Sequence, residues 1–189
     1  MKKVTVTLLV FFIFGLVFIA CATPPQEDMD KALDAVFRAE SDPDAVAYAP
    51  LLLTRARDAL TRMQSEADAK NYDEAKRFAA EAINNAERAI SDGRVAAARA
   101  KEEADRLLTV IPDTLEETSN IVNGANGLPG LEELSGEVDL ARETFDNAQQ
   151  HFEEENYIDA ISTAETVRSL LSDVNERING AAQDVSRKK

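Results

Sequence analysis

The chain has 189 residues, and its 35 acidic and 21 basic side chains give it a formal charge of −14. So acidic a chain repels phosphate backbones and anionic lipid surfaces, which argues against nucleic-acid binding and against a body lying flat on a membrane. The single cysteine excludes an intrachain disulfide, and the absence of tryptophan together with abundant alanine predicts a thin, close-packed core.

The N-terminus has the organisation of an export signal. Lys2 and Lys3 precede an apolar run over residues 4–20, and this run is too short and too closely followed by polar chain for a membrane span. The segment Phe18-Ile19-Ala20-Cys21 resembles the lipobox of bacterial lipoproteins, in which a diacylglyceryl group is attached to the cysteine thiol and cleavage frees its amine. The other interpretation is an ordinary cleaved signal beside an unrelated cysteine.

The lipobox resemblance implies a location as well as a modification. Residues 1–20 would be the signal peptide, Cys21 the lipid attachment site, and residues 21–26 a lipidated tether containing Pro24 and Pro25. Two or more acyl chains anchor a protein durably, so the membrane is the first expected partner. The resemblance places the mature chain in the bacterial cell envelope, and Ala22, which is not acidic, favours the outer membrane in a host that has two.

Residues 27–110 are predicted to form a leading helix and a first helical hairpin. Apolar residues from Met29 to Phe37 recur at helical spacing, and this helix is expected to end near Ser41-Asp42-Pro43. Pro50 suits the first turn of the next helix, and Asn71-Tyr72 forms a tight connection to a long second helix. The predicted seam of that helix is made of small side chains, which weaken the hairpin unless the leading helix covers them. It comprises Tyr72, Ala75, Ala79, Ala82, Ala86, Ala89, Gly93, Ala96 and Ala100.

Residues 111–130 are predicted to separate two helical regions. Pro112 is expected to end the long helix, and Thr114 with Glu117 resembles a capping box that opens a short helix to Val122. The Gly-rich run over residues 123–130 is the strongest breaker cluster in the chain.

Residues 131–189 are predicted to form a second hairpin that repeats the first at an offset of 85 residues. Its seams step by three and four residues, as in long antiparallel bundles. The identities between the copies are Ala56, Arg57, Gln64, Asn71, Tyr72, Ala75 and Ala79 with Ala141, Arg142, Gln149, Asn156, Tyr157, Ala160 and Ala164. The expected fold is therefore all-α, with a short leading helix and two long antiparallel helical hairpins arranged as an elongated bundle or a tetratricopeptide-like stack.

Two family resemblances follow from these residues. Asn71-Tyr72-Asp73-Glu74-Ala75, with Ala82 seven residues beyond Ala75, resembles the second helix of a tetratricopeptide repeat, and Asn156-Tyr157-Ile158-Asp159-Ala160 is a weaker match. Over about residues 31–108 the chain resembles an alanine-rich helical domain of unknown function found in bacterial envelope lipoproteins. Tyr48-Ala49-Pro50, Ala56, Leu60 and Met63 contribute to that second resemblance.

No catalytic, metal or cofactor site is predicted. His151 is followed by Glu153, Glu154 and Glu155, but helical spacing puts only some of these on one face, so a solvated helix end is expected. Adjacent acidic pairs such as Glu102-Glu103 point about 100° apart and are interpreted as solvated faces. Tyr72 and Tyr157 are expected to plug the open ends of their hairpins, with a paired ligand contact as the alternative.

These observations predict a non-enzymatic envelope lipoprotein that acts as a helical scaffold or adaptor for a protein partner. The alternative is a binding protein for a small apolar or lipidic ligand held between helices, with Phe145, Phe152, Leu170 and Leu171 on one side of the cavity. An enclosed apolar pocket of several hundred Å3 would favour the ligand, and a packed core with an exposed groove would favour the adaptor. No nucleic-acid partner is expected.

Overall fold

The structure is a computed structural model that describes residues 23–125 and 130–187. The predicted signal peptide and the lipid attachment site at Cys21 lie outside the described residues, as does part of the Gly-rich linker. Within the described part the chain forms six helices and no strand, which confirms the all-α prediction. The helices are α1 (Gln26–Ser41), α2 (Pro43–Tyr48), α3 (Pro50–Asp68), α4 (Tyr72–Gly124), α5 (Leu131–Glu153) and α6 (Tyr157–Arg187).

The helices form two compact units, of which the first ends at Gly93 and the second begins at Arg94. The first unit contains α1, α2, α3 and the beginning of α4. The second contains the rest of α4 with α5 and α6. In the ranges 23–125 and 130–187, no helix combines the length and the apolar character needed to cross a bilayer.

Helices α2 and α3 begin at residues that favour the start of a helix. The Asp42 side chain accepts a hydrogen bond of 3.0 Å from the Ala45 amide at the beginning of α2, and Pro43 occupies the first turn. Pro50 opens α3, as predicted. Helix α2 itself was not predicted, because its six residues lie between two proline breaks and are too few to show a helical period.

The two hairpin turns have the same hydrogen-bond pattern, which gives the sequence repeat a structural counterpart. In the first turn the Asn71 amide donates to the Glu66 carbonyl over 2.8 Å, and the Lys70 amide donates to Ala67. In the second turn the Asn156 amide donates to the His151 carbonyl over 2.9 Å, and the Glu155 amide donates to the Phe152 carbonyl. Both turns are Schellman caps with a left-handed residue, Lys70 at φ 63° and Glu155 at φ 59°. Every corresponding residue is 85 positions away from its counterpart.

The core of the first unit is built mostly from alanine. Helix α1 contributes Met29, Ala32, Val36 and Ala39 to the same buried cluster as α3 and α4, so the leading helix does cover the small side chains of the hairpin, as predicted. Phe78 closes the cluster, and the Arg77 guanidinium lies 4.1 Å from the centroid of its ring. The remaining buried members are Ala35, Ala45, Ala49, Leu53, Ala56, Ala59, Met63, Ala79, Ala82, Ala86 and Ala89.

Gly93 has a packing role that the sequence did not indicate. A Cβ atom at this position would lie 2.7 Å from the Asp44 carbonyl oxygen and 2.8 Å from the Ala45 nitrogen, both in the backbone of α2. Helix α4 therefore approaches α2 too closely for any side chain at this point. The buried stripe then shifts by one residue, since Ala97 is buried where the predicted seam placed Ala96.

The prediction that Pro112 ends a helix is wrong. Helix α4 continues from Tyr72 to Gly124 with Pro112 inside it, and there is no separate short helix beginning near Thr114. Residues on both sides of the proline are buried at helical spacing, among them Ile111, Leu115 and Val122. Residues 111–124 therefore belong to the core of the second unit rather than to a linker.

The second unit is a three-helix arrangement with a bulkier core. Ala104 of α4 packs with Tyr157 and Ala160 at the beginning of α6, and Val122 packs with Val174 and Ile178 further along it. These contacts make α4 and α6 parallel neighbours. The predicted seams are buried from Leu134 to Ala148 on α5 and from Tyr157 to Ile178 on α6, whereas Leu131, Phe152 and Ala181 at their ends are half-buried. The central cluster consists of Leu107, Ile111, Leu115, Ala141, Phe145, Ala148, Ala164, Val167 and Leu171.

Candidate functional site

Of the two predicted tyrosine positions, Tyr157 has aromatic and cationic partners. Tyr157 is buried at the beginning of α6, and its ring meets Phe152 edge-on with a centroid distance of 5.4 Å. The Lys101 ammonium lies 5.9 Å from the Tyr157 ring centroid. This tyrosine therefore closes the end of its hairpin, while Tyr72 is only half-buried.

His151 is less exposed than the sequence suggested. It is half-buried on α5, and its Nδ1 atom is buried with no hydrogen-bond partner in the described part of the chain. Glu153, Glu154 and Glu155 are exposed. Among the described residues, no group of three or more His, Cys, Asp or Glu side chains could hold a metal ion.

The second unit has a groove between α4 and α6. It encloses about 480 Å3 and is partly open to solvent. Its middle is apolar, because Leu107, Ile111 and Leu171 form the floor and Val110 remains 58% exposed along the side. The other residues that line it are Glu103, Arg106, Thr114, Arg168, Ser172 and Asn175.

The charged lining residues are two arginines and one glutamate. Glu103 forms an ion pair and hydrogen bond with Arg106, one helical turn away on α4. That hydrogen bond is the main cause of a lowered pKa of Glu103, and the positive charges of Arg106 and Arg168 lower this pKa further. The hydrogen bond with Glu103, together with the negative charge of that carboxylate, raises the pKa of Arg106. The lining therefore carries one more positive than negative charge in a chain whose formal charge is −14.

A polar contact fixes the register of the two helices below the groove. The Asn175 side-chain amide donates a hydrogen bond of 3.0 Å to the hydroxyl of Thr118, which is fully buried. Because Thr118 is fully buried, sliding α6 along α4 would leave its hydroxyl without that partner.

Sequence reasoning did not find this groove. Of the four residues named for an apolar cavity, only Leu171 lines it, whereas Phe145 is buried in the core and Phe152 packs on Tyr157. The usable sequence signal was Val110, an apolar residue outside the buried stripe. Its partner residues on α6 are more than fifty positions away, so their proximity was not visible.

The structure is that of an all-α protein of two helical units, with a partly apolar groove in the second unit. Residues 27–107 match the family Domain of unknown function (DUF4398). The matched segment covers the first unit and continues along α4 as far as the floor of the groove. No curated protein and no solved structure matches the chain.

Proposed function

We propose that the protein is a bacterial envelope lipoprotein, anchored through acyl chains on Cys21, that acts as a non-enzymatic helical adaptor for a protein partner. The observation that carries the proposal is the lipobox-like segment ending at Cys21, which is followed directly by helical units. Ala22 favours the outer membrane in a host with two membranes. The half-match to a tetratricopeptide repeat agrees with a partner-binding role for the hairpins.

Helix α1 offers a surface suited to such a partner. Phe37 is 68% exposed and Leu33 is 52% exposed, and their spacing of four residues puts them on one face of α1. The helix begins five residues after Cys21, so at most about 18 Å of extended chain separates it from the anchor. A partner on this face would therefore be held close to the membrane surface.

Site-directed photocrosslinking in cells tests the adaptor role. A photoreactive residue in place of Phe37 should capture a discrete envelope protein, which is then identified by mass spectrometry. The matched control replaces Leu140, which is 50% exposed on α5. Equal or absent capture at the two positions would contradict a partner surface on α1.

The anchor has its own test. Replacement of Cys21 by Ser removes the thiol that would be acylated, so the chain should leave the membrane fraction or accumulate as an unprocessed precursor. Thr23→Ser serves as the control and should fractionate as the wild type does. Normal processing and unchanged membrane association of Cys21→Ser would refute the lipid attachment.

A second function, binding of a small apolar or lipidic ligand, is favoured by one observation. The groove between α4 and α6 has an apolar floor and a volume of about 480 Å3, within the range of ligand sites. Its open side distinguishes it from an enclosed cavity, which is why the adaptor remains the first proposal.

A further inference from the structure

The groove between α4 and α6 has two chemically different ends. Because the two helices run parallel, Glu103 and Arg106 on α4 and Arg168 on α6 are the first lining residues of their helices, while Thr114 and Asn175 are the last. Leu107, Ile111 and Leu171 occupy the space between them. Such a surface suits a molecule with one polar head and an apolar body rather than a uniformly apolar one.

The charge balance at the first end selects the sign of the head group. Glu103 is already hydrogen-bonded to Arg106, and Arg168 lines the same groove from α6. An incoming cation would compete with two arginines for that carboxylate. An incoming anion would add a second acceptor to a cluster that carries two positive charges and one negative charge, and arginine binds carboxylate and phosphate oxygens well.

The neighbouring surface limits the length of the occupant. From Glu103 to Thr114 the groove spans roughly 16 Å at 1.5 Å per residue. Beyond it, the lining of the next concavity along α4 includes Glu116 and Glu117. A long acidic helix lying along α4 would meet these like charges, whereas a small amphiphile would end before them.

We propose that the groove between α4 and α6 binds a single-chain anionic amphiphile, with its carboxylate or phosphate at Arg106 and Arg168 and its apolar chain over Leu107, Ile111 and Leu171. This proposal rests on the ligand-binding function and names the class of ligand. Free fatty acids and lysophospholipids share the chemistry that the groove recognises.

Photolabelling of the full chain in native envelope vesicles tests the proposal. The probes are a diazirine-bearing dodecanoate and the dodecanol with the same chain, and labelled residues are mapped by mass spectrometry. A charge-assisted hydrogen bond should favour the carboxylate probe about tenfold at groove residues. Arg168→Gln should abolish that preference, while Arg142→Gln, which removes an arginine paired with Asp139 on α5, should leave it unchanged. A dodecyl phosphate probe and a lysophospholipid probe then distinguish the two natural sources.

A second pair of variants tests the contribution of apolar contacts to amphiphile binding. Val110→Ser should weaken labelling by both probes several-fold, and Leu140→Ser, at a similarly exposed apolar position outside the groove, should not. Circular dichroism of each variant establishes that the helices are intact.

The other possible results of the labelling experiments contradict different parts of the proposal. Equal labelling of the groove by the acid and the alcohol, unaffected by Arg168→Gln, would refute the anionic head while leaving ligand binding in place. Labelling that avoids the groove altogether would refute ligand binding there. Capture of a protein by a photoreactive residue at position 110 would replace the amphiphile with a docked polypeptide.

Discussion

Replacing Gly93 by alanine should destabilise the first unit, although alanine is normally the better helix former. Within a helix the exchange gains about 1 kcal/mol. Here the new Cβ would lie 2.7 Å from a backbone oxygen of α2, about 0.7 Å inside ordinary van der Waals contact at 3.4 Å. Backbone atoms cannot rotate away as a side chain can, so we take about 2–3 kcal/mol from the range for overpacked cores. The expected net loss is about 1–2 kcal/mol.

Hydrogen exchange measured by mass spectrometry can resolve this effect, because peptides from α3 report on the first unit and peptides from α5 on the second. The matched control is Gly136→Ala in α5, where nothing lies within 4 Å of the added Cβ. Gly136→Ala should raise the opening free energy of α5 by about 1 kcal/mol, and Gly93→Ala should lower that of α3. A rise in α3 comparable to the rise in α5 would refute the close approach of α4 and α2.

Three further predictions concern the second unit. Pro112→Ala should stabilise it by about 1–3 kcal/mol, because proline inside a helix has no amide for the preceding turn; unchanged or lower stability in urea would contradict this. Thr118→Val should cost about 1–3 kcal/mol by leaving the Asn175 amide without its acceptor, and a neutral effect in the same assay would show that water replaces it. The pKa of Glu103 is lowered by Arg106, so their pairing stabilises the fold above the ordinary pKa of a glutamate and is lost as pH falls through the lowered value. Acid titration of Glu103→Gln should accordingly show a smaller loss of stability than wild type, and identical acid limbs would refute the pairing.

The parts of the fold that depend on local periodicity were predictable from the sequence. The seams of α5 and α6 and the covering role of α1 follow from apolar residues spaced three and four apart. The two turns were marked by Asn71 and Asn156, because a repeated sequence produced a repeated cap. In these segments the local preferences and the tertiary packing favour the same conformation.

The helix through Pro112 shows why local rules fail. A proline normally ends a helix, yet Ile111, Leu115 and Val122 bury one continuous stripe on α4 while Pro112 itself is exposed. Burial of that stripe outweighs the missing hydrogen bond, which costs about 3 kcal/mol. The sequence shows this stripe as apolar residues at helical spacing on both sides of the proline.

The groove could not be predicted for a different reason. Arg168 and Glu103 are distant along the chain and come together only because α4 and α6 run parallel in the second unit. No local pattern encodes that pairing. The need for glycine at position 93 could not be predicted either, because it arises from the backbone of Asp44 and Ala45, which leaves no space for a Cβ atom.

The alanine core of the first unit constrains how this segment can diverge. Positions such as Ala32, Ala56, Ala82 and Ala89 have no accessible surface, and their methyl groups already set the spacing between helices. Only glycine or serine could replace them without forcing neighbouring helices apart. Substitutions should therefore accumulate on the exposed faces of the helices. Distant relatives would then share the spacing of their small residues but little sequence identity.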